Sequence, residues 1–184
     1  MLADDFVVLF GRSGHGKSSL VQAGLLQPLR DEGYFPVVIR LGDDGDGVAS
    51  ALRQAVLREA EEKGLENEPG LDASLWHFFS TLKISDGDAA LTPVLILDQF
   101  EELFTVVEPE SRRAFVHEFA DLVRGTPPKD VDVDPDLYLP ARRPKLKILI
   151  SMRGDFLWEI ESLPRSIPQV FRSRFCVQAL RRSS

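Results

Sequence analysis

The chain has 184 residues, a length suited to one domain. Its 43% hydrophobic and 28% charged residues give enough apolar mass for a core and exclude a disordered chain. A formal net charge of -7 disfavours nucleic acid as a partner, because an acidic surface repels the phosphate backbone. The single cysteine, Cys176, cannot close an internal disulfide. The acidic opening Met1-Leu2-Ala3-Asp4-Asp5 is no signal-peptide start, and no apolar run approaches the roughly 18 residues of a membrane helix. A cytoplasmic protein with no membrane partner is the expectation.

In chain order, Phe6-Val7-Val8-Leu9-Phe10 is a continuous apolar run and predicts a strand buried on both faces, as in parallel sheets. A glycine-rich turn and a helix from Lys17 to about Gln27 follow, with Pro28 as its stop. Residues 35–41 predict a second strand and 43–47 a loop. Residues 48–63 predict an amphipathic helix through Ala51, Leu52, Ala55, Val56 and Ala60, capped by Gly64. Residues 71–83 predict another helix, with Leu75, Phe78, Phe79 and Leu82 on one side. Val94 to Leu97 predicts a third strand ending in Asp98, and 110–124 a helix with Phe115, Phe119, Leu122 and Val123 inward. Residues 125–144, rich in proline and aspartate, predict a long exposed loop; 147–151 predict a fourth strand and 175–180 a fifth. Strands alternating with helices predict an α/β fold with a mainly parallel sheet. Trp76 and Trp158 are expected in or near the core, and His77 on a helix face. The basic residues gathered late in the chain, Arg142, Arg143, Lys145, Lys147, Arg172, Arg174, Arg181 and Arg182, read as a solvated face.

Gly11-Arg12-Ser13-Gly14-His15-Gly16-Lys17-Ser18 fits G-x-x-x-x-G-K-[ST], between a buried strand and a helix. A chance match in a chain of this length is on the order of one in a hundred from residue frequencies. The glycines let backbone N–H groups turn toward phosphate oxygens, and the helix start adds its positive dipole end. The loop, Gly11, Ser13, Gly14, His15 and Gly16, with Lys17, Ser18 and Ser19, is the candidate site for ATP or ADP. Lys17 is assigned to the β- and γ-phosphates and Ser18 to Mg²⁺. Asp98 at the end of the third strand fits the Walker B pattern and is a second candidate for Mg²⁺. Glu101 and Glu102 follow it, each a candidate to activate the attacking water or a solvated helix-start acid. Arg153, just past the fourth strand, either senses the γ-phosphate or forms a salt bridge to Asp155 or a Walker B acid.

Other signals are discounted. In 130–141 the sixth and twelfth positions, Pro135 and Ala141, do not fit a calcium loop. His117-Glu118 lacks the second histidine of a zinc protease site. The one asparagine, Asn67, is in no guanine-reading motif.

Three segments together resemble the STAND class of P-loop NTPases, and within it the novel STAND branch. They are Phe10 to Leu20 with Ala23-Gly24-Leu25-Leu26 after it, Leu95-Ile96-Leu97-Asp98-Gln99-Phe100-Glu101-Glu102-Leu103-Phe104, and Ile150 to Leu157. The resemblance implies a three-layer P-loop fold with helices on both faces of a five-stranded sheet ordered 5-1-4-3-2. It implies Walker A roles for Lys17 and Ser18, Walker B for Asp98 and the acids after it, with Glu102 favoured over Glu101 as catalyst, and a sensor role for Arg153. It also implies a signalling or defence regulator that holds ADP when off and ATP when on, couples a sensor to an effector, and forms a homo-oligomer through the longer protein. The chain ends four residues after the fifth predicted strand, so residues 1–184 are expected to be one nucleotide-binding domain cut at its edge, without sensor or effector. Three fates stand open: a slow switch, a working ATPase or phosphotransferase, and a scaffold that binds no nucleotide.

Overall fold

The structure, a computed structural model, describes residues 4–41, 47–129, 143–162 and 173–178. Its frame is a parallel sheet of five strands: β1 (Phe6–Gly11), β2 (Tyr34–Arg40), β6 (Thr92–Asp98), β7 (Lys147–Arg153) and β8 (Arg174–Cys176). They lie in the order β2-β6-β7-β1-β8, which reads 2-3-4-1-5 when only these five strands are counted along the chain. Every pair is parallel. Register therefore brings all the C-terminal strand ends to one edge: Gly11 pairs with Arg153, Leu97 with Ile150, and Arg40 with Asp98. Ligands of open α/β sheets bind along that edge.

Alternation along the strands sends two sets of side chains to opposite faces. Val7, Leu9, Val94, Ile96 and Leu149 pack under the segment after the first loop, against Val21 and Leu29. Phe6, Val8, Leu95, Leu97, Ile148 and Ile150 face the other helices. There α3 (Val48–Glu62) buries Leu52, Val56 and Ala60, four residues apart on one stripe. α6 (Pro109–Arg124) buries Phe115, Phe119 and Val123 and ends at Gly125, left-handed at φ 66°. Both faces of the sheet are covered, which is why its strands read as unbroken apolar runs.

Three expectations need correction. The helix after the loop does not stop at Pro28. α1 (Lys17–Leu20) passes through a π-helical turn at Val21–Leu25 into α2 (Leu26–Asp31). Pro28 falls in the first turn of α2, where a missing N–H removes no essential bond. The helix expected over 71–83 is shorter, α4 (Leu75–Thr81), because Ser74 caps it and Leu82 is already extended. Lys83 instead opens β4 (Lys83–Asp86), which pairs with β3 (Glu66–Glu68) and β5 (Ala89–Ala90) in a small antiparallel sheet. The Gly87-Asp88 dipeptide, with Gly87 at φ 56°, forms the two-residue turn between β4 and β5, a glycine-first hairpin signal. Trp158, in α7 (Leu157–Ser162), is 61% exposed, whereas Trp76 is buried; neighbouring Ile160 fills the inward position of that helix. His77 is buried too, its Nδ1 2.9 Å from the Ser74 hydroxyl, and burial holds its pKa below the usual histidine value.

Of the loop expected at 125–144, residues 130–142 lie outside the described set, and Pro144 at its end is buried. Residues 179–180 of the expected fifth strand and 43–46 of the early loop lie outside it as well. No helix among the described residues is long and apolar enough to cross a membrane.

Phe119 sits at the centre of the ring cluster, with centroids 5.3 Å from Phe115, 6.3 Å from Phe100 and 6.5 Å from Phe6. Phe119→Ala is expected to cost about 3–5 kcal/mol in urea unfolding, from lost burial plus the cavity left behind. A cost below about 1 kcal/mol would contradict this packing.

Candidate functional site

The loop from Gly11 to Ser18 joins the end of β1 to α1 on the sheet's C-terminal edge. Gly14 at φ 76° and Gly16 at φ 82° take left-handed conformations that only glycine adopts without strain. Gly11 is required for a different reason: a Cβ there would lie 2.5 Å from the carbonyl oxygen of Val177. The chain leaving β8 thus runs directly against the loop. The Val177 N–H donates to the Phe10 carbonyl at 2.7 Å, and His15 Nδ1 lies 3.4 Å from the Val177 oxygen. No side chain caps α1, so its first N–H groups have no side-chain acceptor. Ser13 and Ser19 are exposed, and His15 is half-buried.

Lys17 folds back over the loop, donating from Nζ to the carbonyl oxygens of Gly11 and Arg12 at 3.1 Å each. Ser18 points the other way. Its hydroxyl donates to Asp98 Oδ2 at 2.8 Å, and Asp98 is only 4% exposed at the end of β6. A hydroxyl and a carboxylate side by side are hard oxygen donors of the kind Mg²⁺ takes, alongside an uncapped helix start suited to an anion. The residues present fit a metal-bound phosphate group.

Past Asp98 the chain turns sharply. Gln99 is left-handed at φ 56°, and the Phe100 N–H donates to the Ser151 carbonyl at 3.0 Å. Phe100 and Leu103 are fully buried beneath the strand end, which leaves Glu101 and Glu102 at the surface edge, both half-buried. The two acids differ in position. Glu101 Oε2 accepts the backbone N–H of Arg153 at 3.1 Å, whereas Glu102 opens the short helix α5 (Glu102–Thr105).

Arg153 ends β7, two residues beyond the expected strand, opposite Gly11. Its guanidinium forks onto Asp155, Nε to Oδ1 at 3.1 Å and the second nitrogen to Oδ2 at 2.5 Å, and lies 5.3 Å from the Phe156 ring centre. The fork is the main cause that raises the arginine's pKa and lowers that of Asp155, and the charge of Lys17 lowers Asp155 further. Of the alternatives for Arg153, the salt bridge to Asp155 is the one formed here. Reading the sequence missed the Val177 contact and the left-handed Gln99. No local signal marks the former, since it depends on how β8 docks.

A strand, a glycine loop, a helix and an acid-ended strand on the edge of a five-stranded parallel sheet define a P-loop NTPase-type domain. The chain belongs to the novel STAND NTPase family: the family described as Novel STAND NTPase 1 matches residues 1–184. No curated protein matches it in sequence. Among solved structures it is similar to the ORC2 protein of Aeropyrum pernix in its ADPNP–ADP complexes, with a TM-score of 0.53 and 13% identity over 95% of this chain and 41% of that one. The ADP form of the same protein gives a TM-score of 0.53 and 13% identity, over 95% of this chain and 42% of that one. The chain therefore spans well under half of those structures, and at that identity the likeness is one of fold.

Gly11→Ala is expected to cost about 1–3 kcal/mol in denaturant unfolding, because the obstacle is backbone rather than a flexible side chain. Unchanged stability would mean that Val177 does not lie on the loop.

Proposed function

We propose that this domain binds ATP with Mg²⁺ and acts as a slowly hydrolysing switch within a signalling or defence regulator. The carrying observation is the direct Ser18–Asp98 bond on the sheet edge where the glycine loop and Arg153 also meet. Backbone N–H groups of Gly11, Ser13, Gly14, His15 and Gly16, with Lys17 and Ser19, hold the phosphates. Ser18 and Asp98 hold the metal, which when bound neutralises charge developing on the phosphates. The fold neighbour was solved with adenine nucleotides, which supports ADP and ATP as the class to test.

The position of Glu101 supports slow turnover. A base must reach the water it activates, and Glu101 is engaged with the Arg153 backbone while Asp155 holds the arginine side chain. Hydrolysis through Glu101 requires that acid to leave the Arg153 N–H first. In a longer protein the same rearrangement couples nucleotide state to sensor, effector and oligomer.

Lys17→Ala is expected to weaken ATP binding by about 10- to 100-fold, the worth of charged hydrogen bonds to phosphate, with an unchanged melting curve. Calorimetry checks the first and circular dichroism the second; unaltered affinity would sink the assignment. Phosphate release by the wild-type chain should run well below the ~10 s⁻¹ typical of enzymes. Turnover at or above that rate would favour a working ATPase instead.

A further inference from the structure

Two carboxylates bracket Arg153. Glu101 fixes its backbone N–H and Asp155 takes its side chain, with the guanidinium also resting on Phe156. Asp155 sits in the 3-10 turn Gly154–Phe156, two residues beyond the strand end that pairs with Gly11. The charge of Lys17 is one of the lesser causes that lower its pKa. Its carboxylate holds the guanidinium of Arg153 at the strand end that pairs with Gly11, where the glycine loop begins.

A guanidinium fork matches a carboxylate or a phosphate, and the same pair of N–H groups serves one of them at a time. A nucleotide with a γ-phosphate must take Arg153 from Asp155, whereas a diphosphate leaves the pair intact. We propose that Asp155 is a specificity-determining residue that competes with the terminal phosphate for Arg153 and so narrows the preference for ATP over ADP. The inference rests on the nucleotide reading above. The pair is open to water, with side chains 44% and 57% exposed, so the competition is weak enough for a ligand to win.

The test is a set of Mg²⁺ titrations with ATP and ADP on the wild-type chain, Asp155→Asn, Arg153→Ala and the double variant. Asp155→Asn should raise ATP affinity about two- to fivefold, the worth of an exposed ion pair, and leave ADP affinity unchanged. Arg153→Ala should lower the ATP-to-ADP ratio, and adding Asp155→Asn to it should bring no further gain. An equal gain for both nucleotides, or a gain that survives without Arg153, would show general charge repulsion and overturn the proposal. So would an unchanged ratio in Asp155→Asn while Arg153→Ala lowers it, a result that leaves the nucleotide reading standing. If wild-type chain binds neither nucleotide, both fall together.

Discussion

The hydrogen bond from Ser18 to Asp98 joins residues 80 positions apart and fixes the rest of the site. It ties the first turn of the helix to the end of strand β6, so the helical segment lies across the sheet with Val21 and Leu29 sealed against Val7, Leu9, Val94 and Ile96. A buried acid such as Asp98 requires a donor, since a carboxylate taken out of water without one is costly. Ser18 supplies it, and in doing so sets where the loop, Lys17 and the edge of the sheet meet.

The same logic holds around the site. Four strong polar groups have protein partners: Lys17 on two loop carbonyls, Asp98 on Ser18, Arg153 on Asp155, and Glu101 on the Arg153 N–H. The partners of Lys17, Asp98 and Arg153 are of a kind that a nucleotide or metal can replace, carbonyl or carboxylate by phosphate, hydroxyl by cation. Binding then exchanges interactions rather than creating them from nothing, so a modest difference in affinity can shift the population between two arrangements.

Much of this was legible in the sequence because it is local. The spacing of Gly11, Gly16, Lys17 and Ser18 names the loop, and the apolar runs of β1, β6 and β7 read as strands because both faces are covered. α3 and α6 show their stripes at helical spacing. The rest depends on tertiary context. Pro28 reads as a stop until a π-helical turn places it at a new helix start. Residues 71–83 look uniformly apolar enough for one helix, yet the chain turns extended at Leu82 to pair Lys83–Asp86 with strands on either side. The conflict between Gly11 and the Val177 carbonyl exists only once β8 has docked beside β1.

The most direct measurement is calorimetric titration of the wild-type chain with ATP, once with Mg²⁺ and once with a chelator. If Ser18 and Asp98 form the metal's half of the site, ATP binds more tightly with Mg²⁺ than without it. Equal affinity in the two titrations, or no binding in either, would contradict the account.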